Sequence, residues 1–371
     1  MPGFLDPTVD EDAWAGQVEP NLAVGRSAVA LSMLGGTVAT ISALDGSYHL
    51  VDLPGLDNGA SFRFQDGVVA LSPDGRRLAY TWNEASFVSH AEVYAPSGVR
   101  IVDLNTGSVS DHQVHKGFGV FSHGFAWSPD GRYVAYNTQI ATKSQSGTRG
   151  SRNFFVERLD TATGERLRAV GVPMTSSPPA VTDAGTVLTG SGTTMWTWRA
   201  DEGATRIDLQ QSRQWRGSVV SVAALPGTET VFATAGLEYG RLFVGRPGDP
   251  ASFRRVGGGG QRLEVEGFVD GGTVAALERI GPQTTLWTAD RSGPRSGPQV
   301  VLEGAGETQY SFATTLLRRP TRDSPAPDWP LSMEQKVCRG VLAVALAVGA
   351  VGAGVTLRRR RRQQDQRRRQ V

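Results

Sequence analysis

Through most of the first 317 residues, apolar and polar positions alternate with a period of two. The runs are short and are broken by Gly, Pro and Asp, as in Arg77–Trp82 (RLAYTW) and Tyr133–Asn137 (YVAYN). A period of two is that of a half-buried strand. No helical period lies between the runs. Two segments nearly match: LSPDGRRLAYTW (Leu71–Trp82) and WSPDGRYVAYNT (Trp127–Thr138). Each reads as a strand end, a turn at Pro-Asp-Gly and an alternating strand. The Asp-Gly pair supplies the positive-φ residue that a tight hairpin needs. Asp74 and Asp130 are expected to cap local backbone groups, not to do chemistry.

Weaker copies of this turn follow: LGGTVATIS from Leu34, TDAGTVLTGS from Thr182, LPGTETVFATA from Leu225 and VDGGTVAALE from Val269. The turns recur about every 47 residues. Each is followed by a second signature, a strand ending in an acidic or Gly-bearing turn. These are YHLVDLPG (48–55), VRIVDLNTG (99–107), FFVERLDTATG (154–164), TMWTWRADEG (194–203), GRLFVGRPGD (240–249) and TTLWTADRSG (284–293). Six all-β units with two signatures each predict a six-bladed propeller of four-stranded blades. A β-sandwich is the runner-up, but it does not explain a double signature repeated six times. The extra strand TQYSFATTLL (308–317) is placed to pair into the first blade and close the ring, which removes exposed edges. A seventh blade, shared between AVALSML and this strand, is the alternative count.

The SPDGRRLAY and SPDGRYVAY segments, each followed by a VDLNTG-like strand, resemble the WD40-like repeats of TolB-type β-propellers. The resemblance covers residues 34–303, closely in two units and loosely in four. It implies a scaffold or binding domain, a partner of envelope proteins, or the gating domain of a prolyl-oligopeptidase-like enzyme. The whole arrangement also resembles membrane-anchored propeller proteins of actinobacteria, which the Arg-rich, Lys-poor composition suits; Lys116, Lys143 and Lys336 are the only lysines.

The pattern changes at the C-terminus. Gly340–Leu357 carries no charge, and five arginines follow, Arg358, Arg359, Arg360, Arg361 and Arg362. Eighteen residues make about 27 Å of helix, the short end of what spans a membrane. Val337 and Cys338 extend the run if Arg339 snorkels. A buried core helix is the competing reading, but a pentabasic flank does not suit one. Ala345, Gly349 and Ala353 form a small-residue stripe through which two such helices could pair as a homodimer. The expected division is an N-terminal arm (1–27), propeller (28–317), Pro-rich linker (318–336), transmembrane helix (337–357) containing the uncharged run Gly340–Leu357, and basic tail (358–371).

Charge refines this. The formal net charge is +2, yet residues 358–371 carry eight Arg and one Asp, leaving −5 for the rest. An acidic body argues against nucleic-acid binding, and the tail is expected to meet anionic lipid headgroups. The arginine flank places the C-terminus in the cytoplasm and the propeller outside. MPGFLDPTVDEDAWAGQVEP lacks the apolar core of an export signal. Either an upstream signal exists, or the chain is a tail-anchored sensor or scaffold with a cytoplasmic propeller. A single cysteine, Cys338, precludes an internal disulfide.

No Gly-x-Ser-x-Gly elbow is present, and GGGG at 257–260 is not followed by Lys-Ser or Lys-Thr, so neither a hydrolase nucleophile nor a phosphate loop is expected. His112 and His115, with His123, have the composition of a metal site. On a strand, however, an i, i+3 pair points to opposite faces, and no metal or other cofactor is expected. Trp196, Trp198 and Trp287 are expected in blade cores, whereas Trp82, Trp127 and Trp215 could be core or could line one face of the ring. Arg213, Trp215 and Arg216 in QQSRQWRG lie on an inter-blade loop and are residue types that anchor interfaces. The expected function is a non-enzymatic, membrane-tethered module for a protein or envelope ligand. The alternative is a hydrolase or lyase with its site on the central axis.

Overall fold

The computed structural model describes residues 18–19, 21–32, 37–56, 69–83, 97–115, 120–141, 152–173, 178–228, 230–236, 240–257, 262–280, 283–294, 300–303 and 309–318. All lie in one compact unit that includes Gln17–Pro327. The predicted span, its small-residue stripe and the arginine tail fall outside the described residues. Among those described, no helix is long and apolar enough to cross a membrane.

Six sheets follow one another along the chain. Blade 1 contains β1 (Val18–Glu19), β2 (Ser27–Ser32), β3 (Thr37–Ser42) and β4 (Tyr48–Asp52). Blade 2 contains β5 (Val69–Leu71), β6 (Arg77–Asn83), β7 (Ser97–Asp103) and β8 (Val109–His115). Blade 3 contains β9 (Val120–Trp127), β10 (Tyr133–Ala141), β11 (Arg152–Asp160) and β12 (Arg166–Arg168). Blade 4 contains β13 (Ala180–Val181), β14 (Val187–Ser191), β15 (Thr194–Arg199) and β16 (Gly203–Asp208). Blade 5 contains β17 (Val219–Ala224), β18 (Val231–Ala235), β19 (Arg241–Arg246) and β20 (Asp249–Gly257). Blade 6 contains β21 (Arg262–Asp270), β22 (Thr273–Ile280), β23 (Gln283–Asp290), and two short strands on the outer edge of β23: β24 (Gly293–Pro294) and β25 (Val300–Glu303).

The ring closes through β26 (Gln309–Phe312), which pairs antiparallel with β2, Ser311 opposite Ala30. The last strand thus supplies the inner strand of the first blade, as the extra strand predicted. The repeat register of that blade needs correction. The Leu34 turn joins β2 to β3, the middle strands of the blade, so it is not equivalent to the Pro-Asp-Gly turns, which join each inner strand to the next. Blade 1 is shifted by one strand because its inner strand comes from the other end of the sequence. Val18–Glu19, expected in an arm, pairs parallel with Leu50–Val51 on the blade's outer edge.

The apolar faces that alternation creates are buried between blades, not in one central core. Separate clusters fill successive wedges. Leu78, Tyr80 and Leu53 lie between blades 1 and 2, and Phe125, Val134 and Tyr136 lie between 2 and 3. Val187 and Trp198 fill the wedge between 3 and 4, Met195, Trp215 and Phe253 that between 4 and 5, and Phe232, Leu263 and Trp287 that between 5 and 6. Trp198, Trp287 and Trp82 are buried.

Both repeated turns are built by their own aspartates. Asp74 Oδ1 accepts from Ser72 Oγ at 2.7 Å and from the Arg76 N–H at 3.2 Å, and Gly75 has φ +75°. Asp130 repeats this with Ser128 and Arg132 at 2.6 and 2.9 Å. In the second signature, Asp103 accepts from the N–H of Asn105 and Thr106, and Asp160 from Ala162 and Thr163.

Antiparallel order puts these turns on one face of the ring and the remaining connections on the other. On the turn face, neighbouring blades are bonded together. The Arg26 Nε donates to Asp74 O at 2.5 Å. Arg77 donates to Gly131 O at 2.5 Å and Thr161 Oγ1 at 3.1 Å, its guanidinium 4.9 Å from the Trp127 ring. Arg158 donates to Gly185 O at 2.8 Å. Asp183 accepts from the Asp130 N–H at 2.8 Å and the Gly227 N–H at 3.2 Å, spanning blades 3, 4 and 5.

Candidate functional site

The inner strands of all six blades enclose a channel of about 560 Å³. Its wall mixes polar and apolar surface, with Leu71, Phe125, Val181, Val220 and Phe312 among the lining residues, and Trp127 reaching it as well. Trp127 is half-buried and donates its Nε1–H to Ala70 O on the neighbouring inner strand at 2.9 Å. The ionisable residues of this lining are Glu264 and Glu266, both on β21.

The crossover from blade 4 to blade 5, residues 209–218, lies over the wedge between these blades and leads into the channel-lining strand β17. A single 3₁₀ turn (Leu209–Gln211) opens it, capped by Asp208, which accepts from the Gln210 N–H at 3.0 Å. Ser212 donates its hydroxyl to Phe253 O at 2.5 Å. The Gln214 side-chain oxygen accepts from the Arg255 N–H at 2.8 Å. Trp215 is 2% exposed. Its ring lies 4.5 Å from Phe243 and 5.8 Å, edge-on, from Phe253, and its Nε1–H donates to Gly217 O at 3.0 Å. Gly217 has φ +98°, and an added Cβ would meet the Gly236 backbone at 3.1 Å. Glycine is therefore required for the loop to turn back into β17.

The predicted trio is thus divided. Arg213 and Arg216 are exposed, and Trp215 between them is a core anchor. Arg216 also donates to Trp215 O at 2.7 Å. Arg255, which sequence spacing gave no reason to group with them, is brought beside the loop through its bond to Gln214. Its exposed position in a strand forty residues on carries no local signal of this.

Of the histidines considered for a metal, His112 is half-buried on β8, and its Nε2 has no hydrogen-bond partner. Burial holds its pKa below the ordinary value, against a smaller opposite pull from Asp111. The side chains of His115 and His123 lie outside the described residues. Among those described, no three His, Cys, Asp or Glu side chains gather as a metal site would require.

No family model matches this chain, and no curated protein does. Solved structures are similar at low identity. An uncharacterized protein of Listeria monocytogenes EGD-e aligns over 85% of this chain and 96% of its own at 12% identity, TM-score 0.44. A putative dipeptidyl aminopeptidase IV of Bacteroides ovatus aligns over 73% of this chain but 46% of its own, at 12% identity and TM-score 0.39. The Cps50 (Swd1) β-propeller domain of Myceliophteria thermophila aligns over 66% and 88% at 18% identity, TM-score 0.34. The propeller assignment here rests on the six sheets and the strand that closes them.

Proposed function

We propose that this chain is a membrane-tethered, non-enzymatic propeller that binds a protein or cell-envelope ligand on the face carrying the inter-blade crossovers. The observation that supports this best is the contrast between the two faces. The turn face uses its polar groups to bond blade to blade, whereas the blade 4–5 crossover is held rigid from below and presents Arg213 and Arg216 to solvent. A rigid loop suits recognition at low ordering cost. The span 337–357 and the arginine tail would hold the propeller at the bilayer, with the C-terminus cytoplasmic and the propeller outside.

Two experiments test this. A reporter fused after Val371 should be active in the cytoplasm; activity only beyond the membrane would refute the orientation. For the binding role, the full-length protein in non-ionic detergent is screened against glycan, lactone and peptide substrates. Glu264 and Glu266 on the channel wall are where an axial hydrolase or lyase would have to find its acid and base. Turnover that disappears in E264Q/E266Q would replace the binding role with that one.

A further inference from the structure

We propose that His112 is an acid-sensitive joint between blades 2 and 3: its protonation puts an uncompensated charge into the outer part of that wedge and loosens β8 from the blade 3 turn it packs against.

Strand alternation sets up the joint. β8 is the outermost strand of blade 2, and successive side chains on a strand point to opposite faces. Asp111 is turned towards blade 1. It pairs with Arg100 at 3.0 Å, and Arg100 donates to Pro54 O of that blade at 2.6 Å. His112 is turned the other way. Its register partner Val99 belongs to the apolar cluster between blades 2 and 3. The ring's Cε1 and Nδ1 lie 3.8 Å from where a Cβ on Gly164 would stand. Gly164 closes the second-signature turn of blade 3, its N–H donating to Asp160 O at 2.8 Å. The Nε2 of His112 is buried and has no hydrogen-bond partner.

A neutral imidazole tolerates this site, because one ring nitrogen is an acceptor without a proton. An imidazolium does not, since both nitrogens then carry N–H groups and the ring a full charge. The charged groups around it are committed elsewhere. On blade 2, Asp111 is held by Arg100 on the opposite face, and Asp103 accepts from its own turn. Arg77 reaches the blade 3 turn at Thr161 Oγ1, and it is a cation. On blade 3, Asp160 accepts from Arg132 through Oδ2 and from the Ala162 and Thr163 N–H groups through Oδ1. Glu157 is buried and lies 3.6 Å from Arg168, Arg166 is a further cation on β12, and Glu165 is exposed. Burial is accordingly the larger influence on His112, holding its pKa down against the weaker pull of Asp111. A histidine depressed in this way contributes stability that is fully present above its unfolded pKa, about 6.5, and is lost as pH falls through the folded one. If the folded ring resists protonation entirely, the folding constant drops by up to about ten-fold between pH 7.5 and pH 5.5.

Urea melts of the full-length protein in non-ionic detergent test this. H112Q stays neutral, so its folding constant relative to wild type should rise by up to about ten-fold on going from pH 7.5 to pH 5.5. A packing role alone would give a gap independent of pH. Amide exchange at pH 5.5 places the effect: β8 should exchange faster in wild type than in H112Q, while β20, the outer strand of blade 5, is unchanged. The imidazole proton resonance that disappears in H112Q should titrate below about 6.5 in wild type. If H112Q departs from the wild-type circular dichroism at pH 7.5, H112N takes its place. The proposal is overturned if the gap changes by less than about two-fold between the two pH values, if that resonance titrates at or above about 6.5, or if β8 and β20 lose protection alike.

Discussion

Asp183 is the residue on which the turn face depends most visibly. It sits in the first turn of blade 4, and its two carboxylate oxygens accept from the backbone of two other blades: Oδ1 from Asp130 at 2.8 Å and Oδ2 from Gly227 at 3.2 Å. A hydrogen bond to a charged acceptor is worth about 1.5–3 kcal/mol when water is excluded. Both bonds lie near solvent, so water can re-satisfy the freed N–H groups, and D183A should cost about 1–2 kcal/mol in total. For a domain of this size that is a fall in Tm of about 2–5 °C. D183N retains one acceptor oxygen and should lose about half as much. Scanning calorimetry measures the first effect. Native-state hydrogen exchange measures the second, sharper one: the Asp130 and Gly227 amides, on different blades, should both lose protection in D183A. The control is D201A, which removes an exposed aspartate elsewhere on blade 4. Unchanged exchange at both amides, with a Tm within about 1 °C of wild type, would refute the idea that this carboxylate joins three blades.

Arg77 makes the equivalent link between blades 2 and 3, through Gly131 O, Thr161 Oγ1 and the Trp127 ring. R77A should cost about 2 kcal/mol and R77K nearly as much, since an ammonium cannot reproduce the fork; urea melts of both decide it. G75A should be worse. Gly75 has φ +75°, and an added Cβ would collide with Ser27 O and come within 3.1 Å of Ala313 Cβ. A loss above about 2 kcal/mol is expected, read by thermal melting. Asp160 gives a pH dependence. Burial works to raise its pKa, but the Arg132 guanidinium and the N–H groups of Ala162 and Thr163 win, and it is lowered. A depressed carboxylate stabilises the fold above its unfolded pKa, about 4, and that stability is lost as pH falls through the folded value. R132Q should therefore be destabilised by about 1 kcal/mol at pH 7, Arg132 being half exposed, with the gap from wild type closing below about pH 4 in melts across that range. Removing Gln309–Phe312 should open the ring between blades 6 and 1, so that the calorimetric transition broadens or splits.

The elements that were legible in the sequence are those built locally. The Ser-Pro-Asp-Gly turn announces itself because Ser72, Asp74 and Gly75 make their own hydrogen bonds within a few residues. Five of the six units keep the predicted strand order for the same reason. What sequence misses is non-local. The inner strand of blade 1 pairs Ser311 with Ala30, and no pattern near residue 34 indicates that its repeat has lost its first strand to the far end of the chain. The stitching of the turn face is equally invisible. Arg77 and Gly131 are 54 positions apart, and an arginine at the start of a strand gives no sign that it will cross to the next blade.

The crossover at 209–218 shows why residue type alone did not separate an exposed group from a buried one. Arg, Trp, Arg in a loop is a composition that interfaces favour, but it is also what a ring of blades needs to hold a crossover in place. The choice between these roles is made by Phe243 and Phe253, residues of another blade, which offer Trp215 a place to be buried. With Trp215 inside, the two flanking arginines stay at the surface, where water solvates their charge. They must face water on either side of the anchor. The burial of the aromatic residue therefore fixes the exposure of the charges. What the loop offers to solvent is the two cations, with the aromatic ring withdrawn between the blades.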